Sequence, residues 1–533
     1  TVSDTEGFSL AYDYDSTYGR LVRITDSQGN YITYDYDANG NRIETSNLTA
    51  AGDRTLWQRF NYDHPDQPGK LWKVINADDT FTSFGYDAMG QVNIVTDAMN
   101  RTTDYTYDLL QRLTQESRPG SVNTGYAYDR HGNPTSVTDA EGLVTMFVYD
   151  DMGRKVRETS PDRGVLRYAY DAAGNLISRT DARDIAVSYS YDDRGRLTGV
   201  NFSNDNQNIA YTYDAGANGI GRLTGMSDPS GTASYAYDSR GFMVSESRTV
   251  SGVAYTTDYR YVANGALAGI TYPDGRPVDY TLDSQGRVMA VTTTVDGVTK
   301  TLAQDIDYQP FGPRRSMTLG NGQVITNAFD QQQRLTGIEA PGALELGFTH
   351  DAAGNVTAID NFLDTSRSQS FVYDDIYRLT STTGTNGTVG FTYDKVGNRL
   401  TRTAAGQTDT YAYEPGTHRL SSIDGAAPLS FGYDTTGNMI ARGDQSLAYN
   451  QNNRLIDVTQ GGSTQGAYVY NGMGQRVQKT AGGETTVYHW DRFGNLIAES
   501  DTSGSFSAAY VYLGSERLAA IATGPAADAF GVD

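Results

Sequence analysis

The pair Tyr-Asp, followed a few residues later by Gly and then Arg, Asn or Leu, returns along the whole chain. Two clean copies are Tyr170-Asp171-Ala172-Ala173-Gly174-Asn175-Leu176 and Tyr191-Asp192-Asp193-Arg194-Gly195-Arg196-Leu197. From Tyr14 to Tyr512 the motif registers 24 times, and 16 of the 23 intervals are 20 to 22 residues. Five successive intervals between Tyr86 and Tyr191 are all 21. A fixed period of this length marks one supersecondary unit stacked many times. It constrains the architecture before any other reading and moves the functional question from an active site to what a repeated surface encloses or touches.

Each repeat reads as a β-hairpin. Tyr168 and Tyr170 alternate with Ala169, and Val187 and Tyr189 with Ser188. That period of two places both rings of each Tyr-x-Tyr on one face of a strand. Asp171-Ala172-Ala173-Gly174 is a turn: Asp accepts from backbone amides ahead of it, and Gly supplies the positive φ of a type I turn with a bulge. Leu176 to Thr180 forms the return strand, and Asp181-Ala182-Arg183-Asp184 turns into the next Tyr strand. Twenty-four hairpins give about 48 strands, ~230 Å of sheet if flat. Strand twist forbids a flat sheet of that width, so it coils or closes.

Fourteen copies keep both residues of the pair. Leu282, Phe329, His350 and Trp490 replace the ring position while the Asp stays. Val262, Gln309, Glu414, Asn450, Asn471 and Leu513 replace the Asp while the Tyr stays. No copy loses both, which predicts an aromatic ladder plus a turn anchor rather than a catalytic pair. The intervals are least regular from Tyr237 to Phe329, where a bend or lengthened loops are expected, or simple drift of the array.

Composition agrees. No linker or change of period divides the 533 residues, so residues 1–533 are expected to be a single array of about 24 hairpins with no separate catalytic or toxin domain. The apolar fraction of 38% already includes 39 Tyr, which predicts a thin wall rather than a thick core. A net charge of −22 repels phosphate backbones and argues against nucleic-acid binding. There is no Cys, hence no disulfide or thiolate chemistry. Neither a signal peptide nor an apolar run of membrane-spanning length is visible.

Tyr149-Asp150-Asp151-Met152-Gly153-Arg154 and Tyr393-Asp394-Lys395-Val396-Gly397-Asn398-Arg399-Leu400 closely resemble the YD repeats of the bacterial Rhs family, which also occur in Tc toxin B and C subunits and in the shell of teneurins. The resemblance covers about residues 10 to 520. It implies an all-β fold of tandem hairpins forming a spiralling sheet that closes into a hollow cocoon, or part of one. It implies too a secreted or cell-surface protein that holds a C-terminal toxin or effector polypeptide, delivered with secretion-system or toxin-complex components. The chain departs from the bacterial pattern after Tyr512: it runs through Gly524-Pro525-Ala526-Ala527-Asp528 without a DPxGL-type core. No autoprotease residues are therefore carried over, and the chain reads as a fragment of a longer protein.

Nothing in the sequence marks an active site. His64, His131, His350, His418 and His489 fall in different repeats, none at metal-ligand spacing. Asp37-Ala38-Asn39-Gly40-Asn41 resembles a calcium loop only faintly, lacking its Gly and Glu positions. Of the carboxylate pairs Asp78-Asp79, Asp150-Asp151, Asp192-Asp193 and Asp374-Asp375, three begin at the turn position, which explains them without acid/base chemistry. No nucleophile elbow or phosphate loop appears. No catalytic, metal or cofactor-binding residue and no cofactor are assigned, and an enzyme is the reading least supported. The leading expectation is a non-catalytic shell around a polypeptide cargo. The alternative is an adhesion module whose outer surface binds a glycan or a partner protein.

Overall fold

A computed structural model describes residues 2–3, 9–522 and 530–531. The stretch Gly524 to Asp528, read above as running out of the array, lies outside the described residues. The described residues are all-β, with 50 strands, of which Val2–Ser3 and Phe530–Gly531 have two residues and the remainder four or more. Strands pair antiparallel with their neighbours in sequence, as Gly164–Tyr170 does with Leu176–Thr180 and that strand with Ala186–Tyr191. This is the pairing expected of hairpins laid edge to edge.

The chain divides into two compact units interleaved in sequence. The first contains Thr1–Val144, Leu282–Ala290 and Ala303–Tyr411, the second Thr145–Thr281, Val291–Leu302 and Ala412–Asp533.

The Tyr-Asp turn has the expected chemistry. The Asp171 N–H donates to the Asn175 carbonyl at 3.0 Å and the Gly174 N–H to the Asp171 carbonyl at 3.1 Å. Oδ1 of Asp171 accepts from the Asn175 amide at 2.8 Å, and Oδ2 accepts from the Asn175 side chain at 2.9 Å. Gly174 has φ of 91°, and the register slips by one residue at Ala169/Tyr170, the bulge that such a turn requires. Where Gly is absent, Gln111, Gln333 and Tyr377 adopt the same left-handed conformation, with φ of 61°, 59° and 70°.

The Tyr rings do more than line a face. The Tyr191 hydroxyl donates to the Leu176 carbonyl at 2.9 Å, 15 residues back, and Tyr107, Tyr128 and Tyr170 repeat this link to Val92, Leu113 and Lys155. Each ring thus ties its hairpin to the return strand of the hairpin before. Trp490 does the same through its indole N–H, donating to the Arg476 carbonyl at 2.9 Å. Within the aromatic ladder a guanidinium stands over the ring. Arg112 bonds its own turn acid, Asp108, at 2.8 Å, reaches the Asp129 carbonyl of the next turn at 2.8 Å, and lies 4.7 Å over the Tyr128 ring. Arg154 stands likewise to Asp150, Asp171 and Tyr170. A cation over a ring that is itself hydrogen-bonded joins neighbouring repeats without a continuous apolar core.

Between Tyr237 and Phe329 the extra residues enter strands rather than loops. Met243–Val250 has 8 residues, Val253–Tyr261 has 9 and Val298–Tyr308 has 11, joined by tight turns such as Ser251-Gly252 and Asp296-Gly297.

Candidate functional site: the seam between hairpin rows

Within each unit, hairpins more than two hundred residues apart meet at their turns. In the first unit the turn of one row that leads into a Tyr strand faces a Tyr-Asp turn of the other row. Gln285 donates to Asp26 Oδ2 at 2.7 Å, and the Ser27 and Ser284 hydroxyls lie 2.7 Å apart. Arg334 reaches Asp78 at 3.3 Å, Tyr377 donates to Asp97, and the Lys395 amide donates to Glu141 at 2.8 Å. The pairs are 254 to 280 residues apart in sequence. One row supplies the carboxylates and the other amide, guanidinium and hydroxyl donors to them, while Arg101 and the Trp57 amide donate in the reverse sense to the Asp374 and Gln331 carbonyls.

The second unit has its own seam. The His418 amide donates to Asp162 at 2.7 Å, the Gly472 amide to Asp228 at 2.7 Å and the Arg492 amide to the Tyr259 hydroxyl at 2.9 Å. The Tyr272 hydroxyl donates to the Tyr510 carbonyl at 2.8 Å. Here the seam is also apolar: Val250, Tyr255 and Val487 form a buried cluster with Val253 and Phe506 against it. A larger cluster joins Val187, Phe202, Ile209, Met226, Ala233 and Tyr235. Burial raises Tyr235 to about 12 and holds Tyr259 and Tyr272 above the ordinary phenol range.

The residues weighed in the sequence take turn and wall positions. His64 Nδ1 accepts from the Asp66 and Gln67 amides at 3.2 Å, and His131 is exposed beside Arg130. His350 is half-buried on its strand, and the His418 amide makes the seam bond to Asp162. Both oxygens of Asp37 are engaged by its own turn, from the Asn41 side chain at 2.9 Å and from the Asn39 and Asn41 amides. Those bonds, the Asn41 side chain foremost, lower its carboxyl below the usual range. Asp78, Asp150, Asp192 and Asp374 each hold a turn residue, Thr80, Arg154, Arg196 and Arg378 respectively. Among the described residues no group of three or more His, Cys, Asp or Glu is placed to hold a metal ion.

One arrangement escaped the sequence. His489 Nε2 lies 2.9 Å from Ser500 Oγ, which lies 3.3 Å from the Tyr255 hydroxyl. Serine and histidine at this distance are the elements of an activated nucleophile. Both are buried, however, and the adjoining cavity of about 20 Å³ is of the size that holds a water molecule. Burial also lowers the imidazole to about 4, so it is neutral at pH 7. His489 and Ser500 thus satisfy each other's polar atoms inside the seam. His489 and Ser500 face each other across one hairpin, whereas the Tyr255 hydroxyl that joins them comes from a strand 245 residues away.

The teneurin YD-shell family model matches residues 42–228, 323–488 and 401–521, more than half of the chain, and the RHS repeat model matches residues 14–55 and 218–254. Similar curated proteins include the tRNA3(Ser)-specific nuclease WapA of Bacillus spizizenii, 26% identical over 225 residues, which are 41% of this chain and 10% of that protein. The tRNA nuclease WapA of Bacillus subtilis is 28% identical over 144 residues, 26% of this chain and 6% of that protein. The chain therefore spans a tenth or less of these relatives. Among solved structures, TcdB2-TccC3 without its hypervariable C-terminal region superposes with a TM-score of 0.71 at 16% identity, covering 94% of this chain and 34% of that one. A Photorhabdus luminescens Tc holotoxin pore gives 0.69 at 16% identity, covering 95% and 33%. At that identity the likeness is one of fold.

Proposed function

The chain belongs to the teneurin YD-shell family, and on that premise we propose that it is a non-catalytic wall of a container that holds a polypeptide cargo joined to it in a longer, secreted protein. The observation that carries this reading is the seam. Hairpins tied only to their sequence neighbours make a strip, whereas rows hydrogen-bonded turn to turn, as Asp97 is to Tyr377 and Asp228 to the Gly472 amide, make a wall. The functional chemistry then belongs to the cargo. The names of the WapA relatives fit, since a nuclease activity is attributed to proteins of which this chain matches a tenth or less. A toxin-complex partner fits the TcdB2-TccC3 likeness in the same way. Among the described residues no helix is long and apolar enough to cross a membrane.

A reporter polypeptide joined after Asp533 tests the reading. It is expected to resist a broad-specificity protease while the wall is folded and to be digested once the protein is unfolded in urea. Digestion at the rate of the free reporter under native conditions overturns the container.

A further inference from the structure

The seam of the first unit is interrupted between the turns of Asp97 and Glu141. On one side the Asp97 turn bonds Tyr377 and, through Arg101, the Asp374 carbonyl at 3.4 Å, and on the other Glu141 bonds the Lys395 amide. Between them the chain turns through Arg118-Pro119-Gly120-Ser121, with a 3₁₀ turn at Pro119–Ser121. This turn has no acid at its tip, and Pro119 has no N–H to offer. Among the described residues none of the four bonds the facing row.

Space opens there on both sides of the sheet. Val122, Thr124, Tyr126 and Tyr128 alternate along one strand and share the tyrosine face, whereas Asn123 and Ala127 point to the other. A cavity of about 520 Å³ is lined by Arg118, Val122, Thr124, Leu379 and Tyr393, and so lies on the tyrosine face. A second, of about 570 Å³, is lined by Thr102, Asp104, Ser117 and Asn123 together with Arg118 and Asp375. Asp104 pairs with Ser117 and Ser117 with Asn123, which puts this cavity on the opposite face. A smaller one of about 120 Å³ shares Arg118 and Ile376 with the first and Arg101, Pro119 and Asp375 with the second. Nη2 of Arg101, on a side chain 9% exposed, has no protein hydrogen-bond partner in this gap. A buried guanidinium N–H of that kind is served by water.

We propose that the Arg118–Ser121 turn leaves a window through the wall of the first unit, joining its two faces for water, ions and small molecules while stopping a polypeptide. This rests on the container reading and adds to it a route for solvent.

The absence of Cys makes single introduced thiols clean reporters. Thr124→Cys lies at the window. Thr82→Cys lies at the same place in its own repeat, four residues before the Tyr and on the same face, but two hairpins away, ~19 Å at strand spacing. In the folded full chain a small maleimide is expected to label Thr124→Cys at least tenfold faster than Thr82→Cys. A polyethylene-glycol maleimide of several kilodaltons is expected to label neither until urea unfolds both. Asp375→Trp, at the far mouth, should slow the small reagent at Thr124→Cys and leave Thr82→Cys unchanged. Equal, slow labelling of both thiols by the small reagent overturns the window and leaves the container standing. Rapid labelling of Thr82→Cys by the large reagent overturns both.

Discussion

The two units use one repeat to make two kinds of seam. In the first, the rows meet through turn tips, with carboxylates of Asp26, Asp78, Asp97 and Glu141 facing donors, and among the described residues the buried apolar side chains are few, Val122, Ile306 and Met317 among them. In the second, the long strands Met243–Val250 and Val253–Tyr261 carry Val250 and Tyr255 into the facing row, where Tyr255 lies 4.2 Å from the His489 ring and packs beside Phe506. The lesson is that turn tips give a polar seam, whereas added strand length gives an apolar one. The irregular intervals after Tyr237 are the sequence trace of that change.

The comparison breaks most visibly at buried rings. Tyr272 is 1% exposed and donates to the Tyr510 carbonyl, so Tyr272→Ala should cost the second unit ~3–5 kcal/mol. Tyr377→Ala, at a ring 46% exposed, should cost the first unit less than ~1.5 kcal/mol. Segment-resolved hydrogen exchange in urea reads each unit separately, and equal losses would remove the distinction.

Acid separates the seams next. His489 is held near 4 in the folded chain, below its ordinary 6.5, so the unfolded state binds a proton first as pH falls. Its contribution is complete above pH 6.5 and declines towards pH 4, by on the order of 3 kcal/mol. The second unit should therefore soften in that window, and His489→Gln should flatten the dependence. In the first unit Asp37, Asp108 and Asp129 are depressed, chiefly by the Asn41, Arg112 and Asn133 side chains. Their contribution is present above the ordinary carboxylate value and is lost only as pH falls through their lowered folded values. Urea midpoints followed from pH 7 to pH 3 should show the second unit yielding first.

Smaller effects probe what the units share. Tyr128→Phe keeps the ring under Arg112 but removes the bond to Leu113, and should cost ~1 kcal/mol. Gln333→Gly relieves a left-handed non-glycine residue whose side-chain amide is buried without a partner, and should raise the stability of the first unit by ~0.5–1 kcal/mol in the same unfolding assay.

The hairpin was legible in the sequence because its causes are local. Asp171 and Gly174 specify a turn by their own side chain and φ, and alternation assigns the faces of Tyr168 and Tyr170. The partner of the Tyr170 hydroxyl was not legible, since the Lys155 carbonyl becomes its neighbour only when two hairpins pair. The guanidinium of Arg112 over Tyr128 was hidden for the same reason, and an Arg after Gly reads in sequence as one more turn residue. The seam was further out of reach. Asp97 begins a turn much like that at Asp108, yet only the first meets a facing row, and more than 250 residues separate it from Tyr377. The His489–Ser500 contact shows the opposite difficulty: a pair that looks catalytic by distance is silenced by burial, which no sequence pattern reports.

The hydroxyl link that reaches back 15 residues also sets how such a chain gives way under tension. A pull on the C-terminal end loads the Tyr512 hydroxyl link to the Leu496 carbonyl and the seam bond from Tyr272 to the Tyr510 carbonyl before any earlier repeat feels the force. Rupture then proceeds one hairpin at a time, each releasing about 21 residues, or ~70 Å of extended chain. A wall built this way is a zipper: stiff against pressure spread over many repeats, and readily unravelled by a machine that grips its end.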